Sequence, residues 1–303
     1  MKKIMSIILI LVMCTGLVSC SKAPKEPEVV EYTPYYSTYL SEGNSLCQIL
    51  REKNYKGNAA SKLVFVDDKI YLPKDSNVDQ IKSFEYFGKE YLLKYSSSHK
   101  TSYAECENEI AKNDRIIDSY WYKDDYIRLN VDYERETGNI VFVFSPDRDK
   151  FAKTGNFSDE EAKNKAEEFI KSIYGKKALN GYQPEIHKSD REPTVEVTYY
   201  KVVSGVICYD YVGVKFDLSG NFVGFSANNY GYLNKISDEL TDERINNAIN
   251  KIREDLGEEY IIEKDASIIY LEVKSGIPFI DILVQRKDNP DNNVEVYINL
   301  YNW

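Results

Sequence analysis

The sequence predicts an α+β fold in which repeated units of one helix and an antiparallel β-meander lay their helices on one face of the sheets. Three observations lead there. Behind Ser158 and behind Thr241, apolar residues recur at helical spacing. Each of these segments is followed by runs that alternate apolar and polar residues, the period of a strand with one buried face. Short clusters of turn formers separate the runs, so successive strands are expected to pair as hairpins rather than through long crossovers.

The first element is not part of the folded body. Lys2 and Lys3 precede the apolar run Ile4 to Met13. A basic start and a short apolar stretch read as a secretory signal. The run is shorter than the about 20 apolar residues that a spanning helix needs. Leu17-Val18-Ser19-Cys20 comes next, and no A-x-A-like site of plain secretion is present. These four residues resemble the lipobox of bacterial lipoproteins. The resemblance implies cleavage before Cys20, a diacylglycerol on its thiol, and an extracytoplasmic place on the bacterial cell membrane, held there by the lipid.

Residues 1–19 are thus expected to be a signal peptide, and residues 20–45 a lipidated cysteine with a flexible tether. Ser21 to Glu28 is polar and carries Pro24 and Pro27. It has too little apolar surface to offset the entropy lost on ordering. The tyrosine-rich stretch from Tyr32 to Tyr39 is the first segment expected to dock.

Residues 46–152 read as an N-terminal α+β domain, a degenerate copy of the later units. Leu63 to Val66 and Ile70 to Leu72 flank Asp67-Asp68-Lys69 as a hairpin. Thr101 to Lys112 reads as a helix with Tyr103, Cys106 and Ile110 on one side. Tyr126 to Tyr133 alternates, turns at Thr137-Gly138-Asn139 and returns as Ile140 to Phe144.

Residues 153–235 open with Ser158-Asp159-Glu160-Glu161, a capping box, and continue with Ala162, Ala166, Phe169, Ile170 and Ile173 as far as the stop at Gly175. After a polar loop, Val195, Val197 and Tyr199 alternate. Ser204-Gly205 turns the chain into Val206 to Phe216, Leu218 to Asn221 turns it again, and Phe222 to Ser226 follows. Residues 236–303 repeat the plan. Thr241-Asp242 caps a helix bearing Ile245, Ala248, Ile249, Ile252 and Leu256, with Gly257 as its stop. Ile268 to Val273, the Ser275-Gly276 turn, Ile277 to Gln285, a turn at Asp288 to Asn293 and Val294 to Tyr301 complete a second meander. The two Ser-Gly turns, each followed at a similar interval by the next turn, point to duplication.

The segment from Phe157 to Ser226 resembles a PepSY or YcdB/YcdC-type repeat. The resemblance rests on the helix start Ser158-Asp159-Glu160-Glu161-Ala162, the paired hairpin, and the last strand entering through Val214-Lys215-Phe216-Asp217-Leu218-Ser219-Gly220-Asn221. Leu240 to Tyr301 follows it in outline, with Asp288 to Asn293 in place of the Asp and Gly. What the resemblance implies is a non-enzymatic extracytoplasmic module, linked in some members to restraining or chaperoning secreted peptidases. It brings no catalytic residues.

Composition narrows the partners. The formal net charge is -10, and it becomes more negative once Lys2 and Lys3 leave with the signal. An acidic surface disfavours nucleic acid and anionic headgroups. Of the five cysteines, Cys14 leaves with the signal and Cys20 is the lipid site. Cys47, Cys106 and Cys208 are odd in number and widely spaced, with no C-x-x-C, which fits neither a disulfide framework nor a zinc site. A single Cys47–Cys106 bridge stays open, and Cys208, inside a strand-like run, reads as a buried small hydrophobe. Tyrosine is the outlier, with 26 residues in 303. Tyrosine suits half-buried sheet surfaces and also makes binding faces.

A search for chemistry finds isolated candidates only. His99 lies in the polar run Ser96 to Lys100 and His187 near Glu185, both read as loop residues. No G-x-S-x-G elbow, H-E-x-x-H, Walker loop or G-x-G-x-x-G occurs. Asp67-Asp68, Asp124-Asp125 and Asp147-Arg148-Asp149 are close carboxylates, but neighbours on a strand point to opposite faces. Asp288 to Asn293 is rich in oxygen ligands yet lacks the order of a calcium loop. No catalytic, cofactor-binding or metal residue is therefore assigned, and lipidation at Cys20 is the one site expected. The functional expectation is a membrane-anchored, non-catalytic binding or regulatory module for a secreted or cell-envelope protein, gripping it through sheet edges or a tyrosine-bearing face. The alternatives are a solute-binding lipoprotein of a transporter and a cell-wall hydrolase.

Overall fold

The computed structural model describes residues 34–302, apart from residues 39, 41, 42, 66, 67, 190, 191 and 235. The signal, Cys20 and most of the tether lie outside the described residues. Fourteen strands join in one hydrogen-bonded sheet, giving an α+β fold. They are β1 (Tyr35–Ser37), β2 (Lys69–Leu72), β3 (Ile81–Tyr86), β4 (Lys89–Thr101), β5 (Ile116–Lys123), β6 (Arg128–Glu134), β7 (Ile140–Phe144), β8 (Tyr182–Lys188), β9 (Thr194–Val203), β10 (Val206–Asp217), β11 (Phe222–Ser226), β12 (Tyr260–Leu271), β13 (Pro278–Arg286) and β14 (Asn289–Asn299). Three helices matter for packing: α1 (Ser45–Glu52), α2 (Asp159–Tyr174) and α3 (Asp242–Leu256).

Local sequence explains both long helices. The Ser158 hydroxyl accepts from the Glu161 amide, and the Glu161 carboxylate accepts from the Ser158 amide at 2.9 Å, so two otherwise orphaned donors are satisfied. Thr241 caps α3 through the amide of Arg244. Gly175 and Gly257 end the two helices at φ +88° and +85°, a conformation that side-chain-bearing residues avoid. Ala162, Ala166 and Ile170 of α2 are buried, as are Ile245, Ala248, Ile249, Ile252 and Leu256 of α3. Each fully buried isoleucine contributes about 1.5–3 kcal/mol of transfer free energy.

β10 is the seam of the sheet. It pairs with β9 along one edge. On the other edge, Gly213 to Phe216 pair with β11, while Ile207 and Cys208 pair in parallel with Ile268 and Ile269 of β12. Beyond β11 the order runs β7, β6, β5, β4, β2, and beyond β12 it runs β13, β14, β1. Two cores follow. One gathers α1, α3, the start of β10 and the inward residues of β12 to β14, with Tyr36, Tyr55 and Tyr103. The other gathers α2, β9 to β11 and the inward residues of β4 to β7. Val206 and Cys208 belong to the first core, and Val212, Val214 and Phe216 to the second, so the even positions of β10 face helices in both. The odd positions face away.

Several expectations are corrected. Leu63 to Phe65 form no strand, and β2 pairs instead with the end of β4. The expected helix from Thr101 to Lys112 is one 3-10 turn, Ser102–Glu105, followed by irregular turns. Its polar groups bond elsewhere: the Tyr103 hydroxyl donates to Leu271 O at 2.8 Å, and the Glu107 amide to Lys274 O at 2.8 Å. The polar loop before Val195 contains β8, paired with β9 along its length. The turn expected over Asp288 to Asn293 is confined to Lys287 and Asp288, because Asn289 already pairs with Arg286 and Asn293 with Gln285, with a bulge between. The two Ser-Gly turns are built differently. Ser204 and Gly205 both have positive φ, 56° and 80°, as a two-residue type I′ turn requires. At Ser275-Gly276 only the glycine does, within a longer loop. Cys47, Cys106 and Cys208 are free and buried, so the Cys47–Cys106 bridge is not formed, and Cys208 is the buried small side chain expected of it.

Candidate functional site

The face of the sheet turned away from the helices carries a ladder of aromatic rings. Tyr209 and Tyr211 occupy odd positions of β10, with ring centroids 5.5 Å apart. Tyr211 touches Tyr200 of β9 at 5.6 Å, and Tyr209 touches Tyr270 of β12 at 5.1 Å. Phe65 then bridges Tyr270 at 5.2 Å and Tyr297 of β14 at 5.5 Å. The ladder thus crosses β9, β10, β12 and β14 on the face opposite α1, α2 and α3, with Phe65, which follows the short helix Ala59–Lys62, closing its β14 end. Tyr209 is 39 % exposed, and the other five rings are half-buried. Tyr36, Tyr86, Tyr120 and Tyr199 are instead fully buried in the cores. The tyrosines therefore divide by face, fully buried in the cores and half-buried to exposed on the ladder.

Two carboxylates stand beside the ladder. Asp281 and Tyr297 are register partners, and Tyr297 donates a hydrogen bond to Glu295 at 2.9 Å. Burial, and then the negative charge of Glu295, push the Asp281 carboxyl up to about 7. Burial likewise pushes Tyr270 up to about 12. At the other end of the ladder, Tyr209 and Tyr211 wall a cavity of about 190 Å³ together with His99, Lys69 and Asn229. His99 is therefore not a loop residue. It sits inside β4 between Ile117 and Tyr71, is 4 % exposed, and has the Tyr71 ring 6.0 Å away. Lys69 also reaches the fully buried Asp132 at 3.5 Å.

A larger cavity of about 520 Å³ lies next to this one and shares Arg115 and Tyr232 with it. The Arg115 guanidinium stands over the Tyr232 ring, 5.1 Å from its centroid, and donates to Asn228 O at 2.9 Å. The wall formed by Tyr230 to Tyr232 is shaped by Asp210, which is fully buried. Asp210 accepts from the Tyr182 hydroxyl at 2.7 Å, from the Gly231 amide at 2.8 Å and from the Leu233 amide at 3.0 Å. Burial outweighs these bonds and holds its carboxyl above the usual carboxylate range.

The sequence candidates scatter. His187 lies on β8, exposed, with Nε2 3.3 Å from Glu185. Asp124 closes a turn by accepting from the amides of Tyr126 and Ile127 and from the Tyr122 hydroxyl, which hold its carboxyl below the usual range. Asp147 pairs with Arg128 and Asp149 with Lys150. Asp288 pairs with Arg286 at 2.7 Å. Burial raises the thiols of Cys47 and Cys106, and that of Cys208 to about 12, the reverse of an activated nucleophile. Among the described residues, no three His, Cys, Asp or Glu side chains gather as a metal site, and no helix is long and apolar enough to cross a membrane. The Asp217 and Gly220 of the repeat-like signature serve the turn itself. Asp217 accepts from the amides of Ser219 and Ala152 at 3.0 Å each, and a Cβ on Gly220 would lie 2.7 Å from the Phe157 ring. Asp210, Asp281 and the ladder had no signal in the sequence beyond the excess of tyrosine.

No family model matches the chain. No curated protein matches it either. Among solved structures, the Bacillus megaterium YpeB C-terminal domain is similar at TM-score 0.34 and 20 % identity, over 62 % of this chain and 80 % of that one. A likeness at that level carries no argument about function.

Proposed function

We propose that this chain is a lipid-anchored extracytoplasmic module that binds or regulates a secreted or cell-envelope protein and performs no catalysis. The face opposite α1, α2 and α3, with its aromatic ladder, is the observation that carries the reading. Large, rigid, half-exposed rings with polar tips contribute contact area at low entropic cost. In this reading the segments beginning at α2 and α3 are PepSY- or YcdB/YcdC-like units, and Cys20 carries the lipid. Two acyl chains suffice for stable retention at a membrane.

The test is crosslinking and pull-down from an intact envelope, with the wild-type chain beside Tyr209→Ala/Tyr270→Ala. A specific polypeptide recovered with the wild type and lost with the double variant supports the reading. Equal recovery with both refutes the face. Cys20→Ala is expected to move the protein from the membrane to the wash fraction, and unchanged retention refutes the anchor.

The cavity of about 520 Å³ favours a second reading, a solute-binding lipoprotein, because its size suits a small polar molecule. A ligand that raises the melting temperature of the wild type but not of Arg115→Ala would select it.

A further inference from the structure

A second feature of the same face lies away from the ladder, on β7, β10 and β11. A single lateral row can be followed through the pairing: Ile81 with Lys94, Lys94 with Trp121, Trp121 with Asn130, and Asn130 with Phe144. The adjoining Tyr120, Val131 and Val143 point into the α2 core, so this row faces away from the helices. Ile81, Trp121 and Phe144 are 59 %, 45 % and 47 % exposed. The Phe142–Ser226 pairing brings Phe144 opposite Gly224, and Gly224 pairs with Lys215, which pairs with Glu196. The row is interrupted at Gly224.

The interruption is a slot of about 210 Å³. Its floor is Gly213 and Gly224, neither of which has a positive φ. A Cβ on Gly224 would meet Val143 O at 3.4 Å and the Lys215 Cβ at 3.6 Å, ordinary contact distances. The backbone therefore does not require glycine at this position. A glycine inside a strand weakens it, and here the missing side chain leaves room for something to approach the backbone. One wall is the stacked pair Phe142 and Phe144, 6.3 Å apart and 20° from parallel. The other wall is two ion pairs, Lys215 with Glu196 at 3.1 Å and Arg148 with Glu192 at 2.7 Å.

We propose that this slot binds a sugar ring of a neutral glycan. Charge complementarity selects the class. Each base in the wall is matched by a carboxylate, so an anion meets Glu192 and Glu196 while a cation meets Arg148 and Lys215. A hydroxyl both donates and accepts, and it can use both members of each pair. The flat apolar face of the ring lies against the phenylalanines, over a floor without side chains. A polypeptide fits less well. Its peptide groups need partners, and β7, β10 and β11 each lie between two neighbouring strands rather than at a sheet edge where a peptide strand could add. Trp121 lies two strands from Phe144, about 10 Å at ordinary strand spacing, so it can take a further ring of the same glycan lying across the strands.

This site is independent of the protein-binding ladder, and the experiment keeps the two apart. The purified chain is titrated by calorimetry, and by tryptophan fluorescence with Trp121→Phe as the reference, against tetramers of N-acetylglucosamine, glucose and mannose. A lysine tetrapeptide and a tetraphosphate serve as charged controls. Saturable binding of at least one neutral tetramer is expected, weakened at least tenfold in Phe144→Ala and in Gly224→Val, and unchanged in Tyr209→Ala. Valine suits a strand at position 224, and an unchanged melting temperature confirms that the slot has been filled without unfolding the chain. Binding of none of the neutral tetramers, preference for a charged control, or binding indifferent to Gly224→Val overturns the proposal. So does capture of an envelope polypeptide that depends on Phe144 and Gly224.

Discussion

The carboxylate of Asp217 accepts hydrogen bonds from both the backbone amide and the side-chain amide of Asn221, each at 2.9 Å. With the amides of Ser219 and Ala152, four donors converge on one fully buried carboxylate, which ties the β10–β11 turn to the segment before α2. Asp217→Ala leaves these donors without an acceptor and is expected to cost about 3 kcal/mol or more, with Asp217→Asn costing less. Urea unfolding of the two variants measures the difference. A loss below about 1 kcal/mol for the alanine would show that water replaces the carboxylate.

Asp281 gives stability a pH dependence of defined sign. Its folded carboxyl sits at about 7, against about 3.9 unfolded, so between these values the folded state holds a proton that the unfolded chain has released. Stability is therefore expected to fall as pH rises from about 4 to about 7, and to level off above. Asp281→Asn removes this component and should be the more stable protein at pH 8, by on the order of 4 kcal/mol. Identical pH profiles for the variant and the wild type would contradict the burial of this carboxylate.

The capping box at Ser158 and Glu161 predicts a local effect. Ser158→Ala removes the acceptor for the Glu161 amide and is expected to cost about 1 kcal/mol. Ser158→Asp keeps an acceptor and adds negative charge at the helix start, so it should stay near wild type. Denaturant midpoints of the two variants provide the check.

Gly276 stands at φ +66°, and a Cβ there would lie 2.6 Å from both Cys106 Sγ and the Ala111 Cβ. Gly276→Ala combines backbone strain with overlap and is expected to destabilise by more than about 2 kcal/mol. Pairing it with Cys106→Ala relieves only the sulfur contact. Recovery of full stability in the double variant would assign the whole cost to packing rather than to backbone conformation.

Elements written in local chemistry were legible in the sequence. α2 and α3 are announced by Ser158 and Thr241 and closed by Gly175 and Gly257, and these residues act within one or two helical turns. The strands Ile140–Phe144 and Phe222–Ser226 were likewise marked by the turns beside them. β8 was missed because an edge strand needs no apolar alternation and tolerates Pro184. The segment after Thr101 misled because Tyr103 and Cys106, helically spaced, are held by a core assembled largely from residues far along the chain. His99 looked like a loop residue within a serine-rich run, and its burial comes from β2 and β5 on either side. Alternation shows which residues of one strand share a face. It does not show that Tyr209, Tyr270 and Tyr297 come to adjoin, because that depends on strand order.

Among the described strands, β1 pairs with β14, Tyr36 opposite Val296. On a ribosome that delivers this polypeptide from its amino end, everything between Tyr36 and Val296 is made before that contact can exist. The α2 half has its partners early, whereas the core that holds Leu46 and Leu50 of α1 also draws on α3 and on β12 to β14. Closing so long a span is slow, and apolar surface left waiting invites aggregation. This core is therefore completed only after β14 has been made, and a chain lacking β14 would leave β1 without its strand partner.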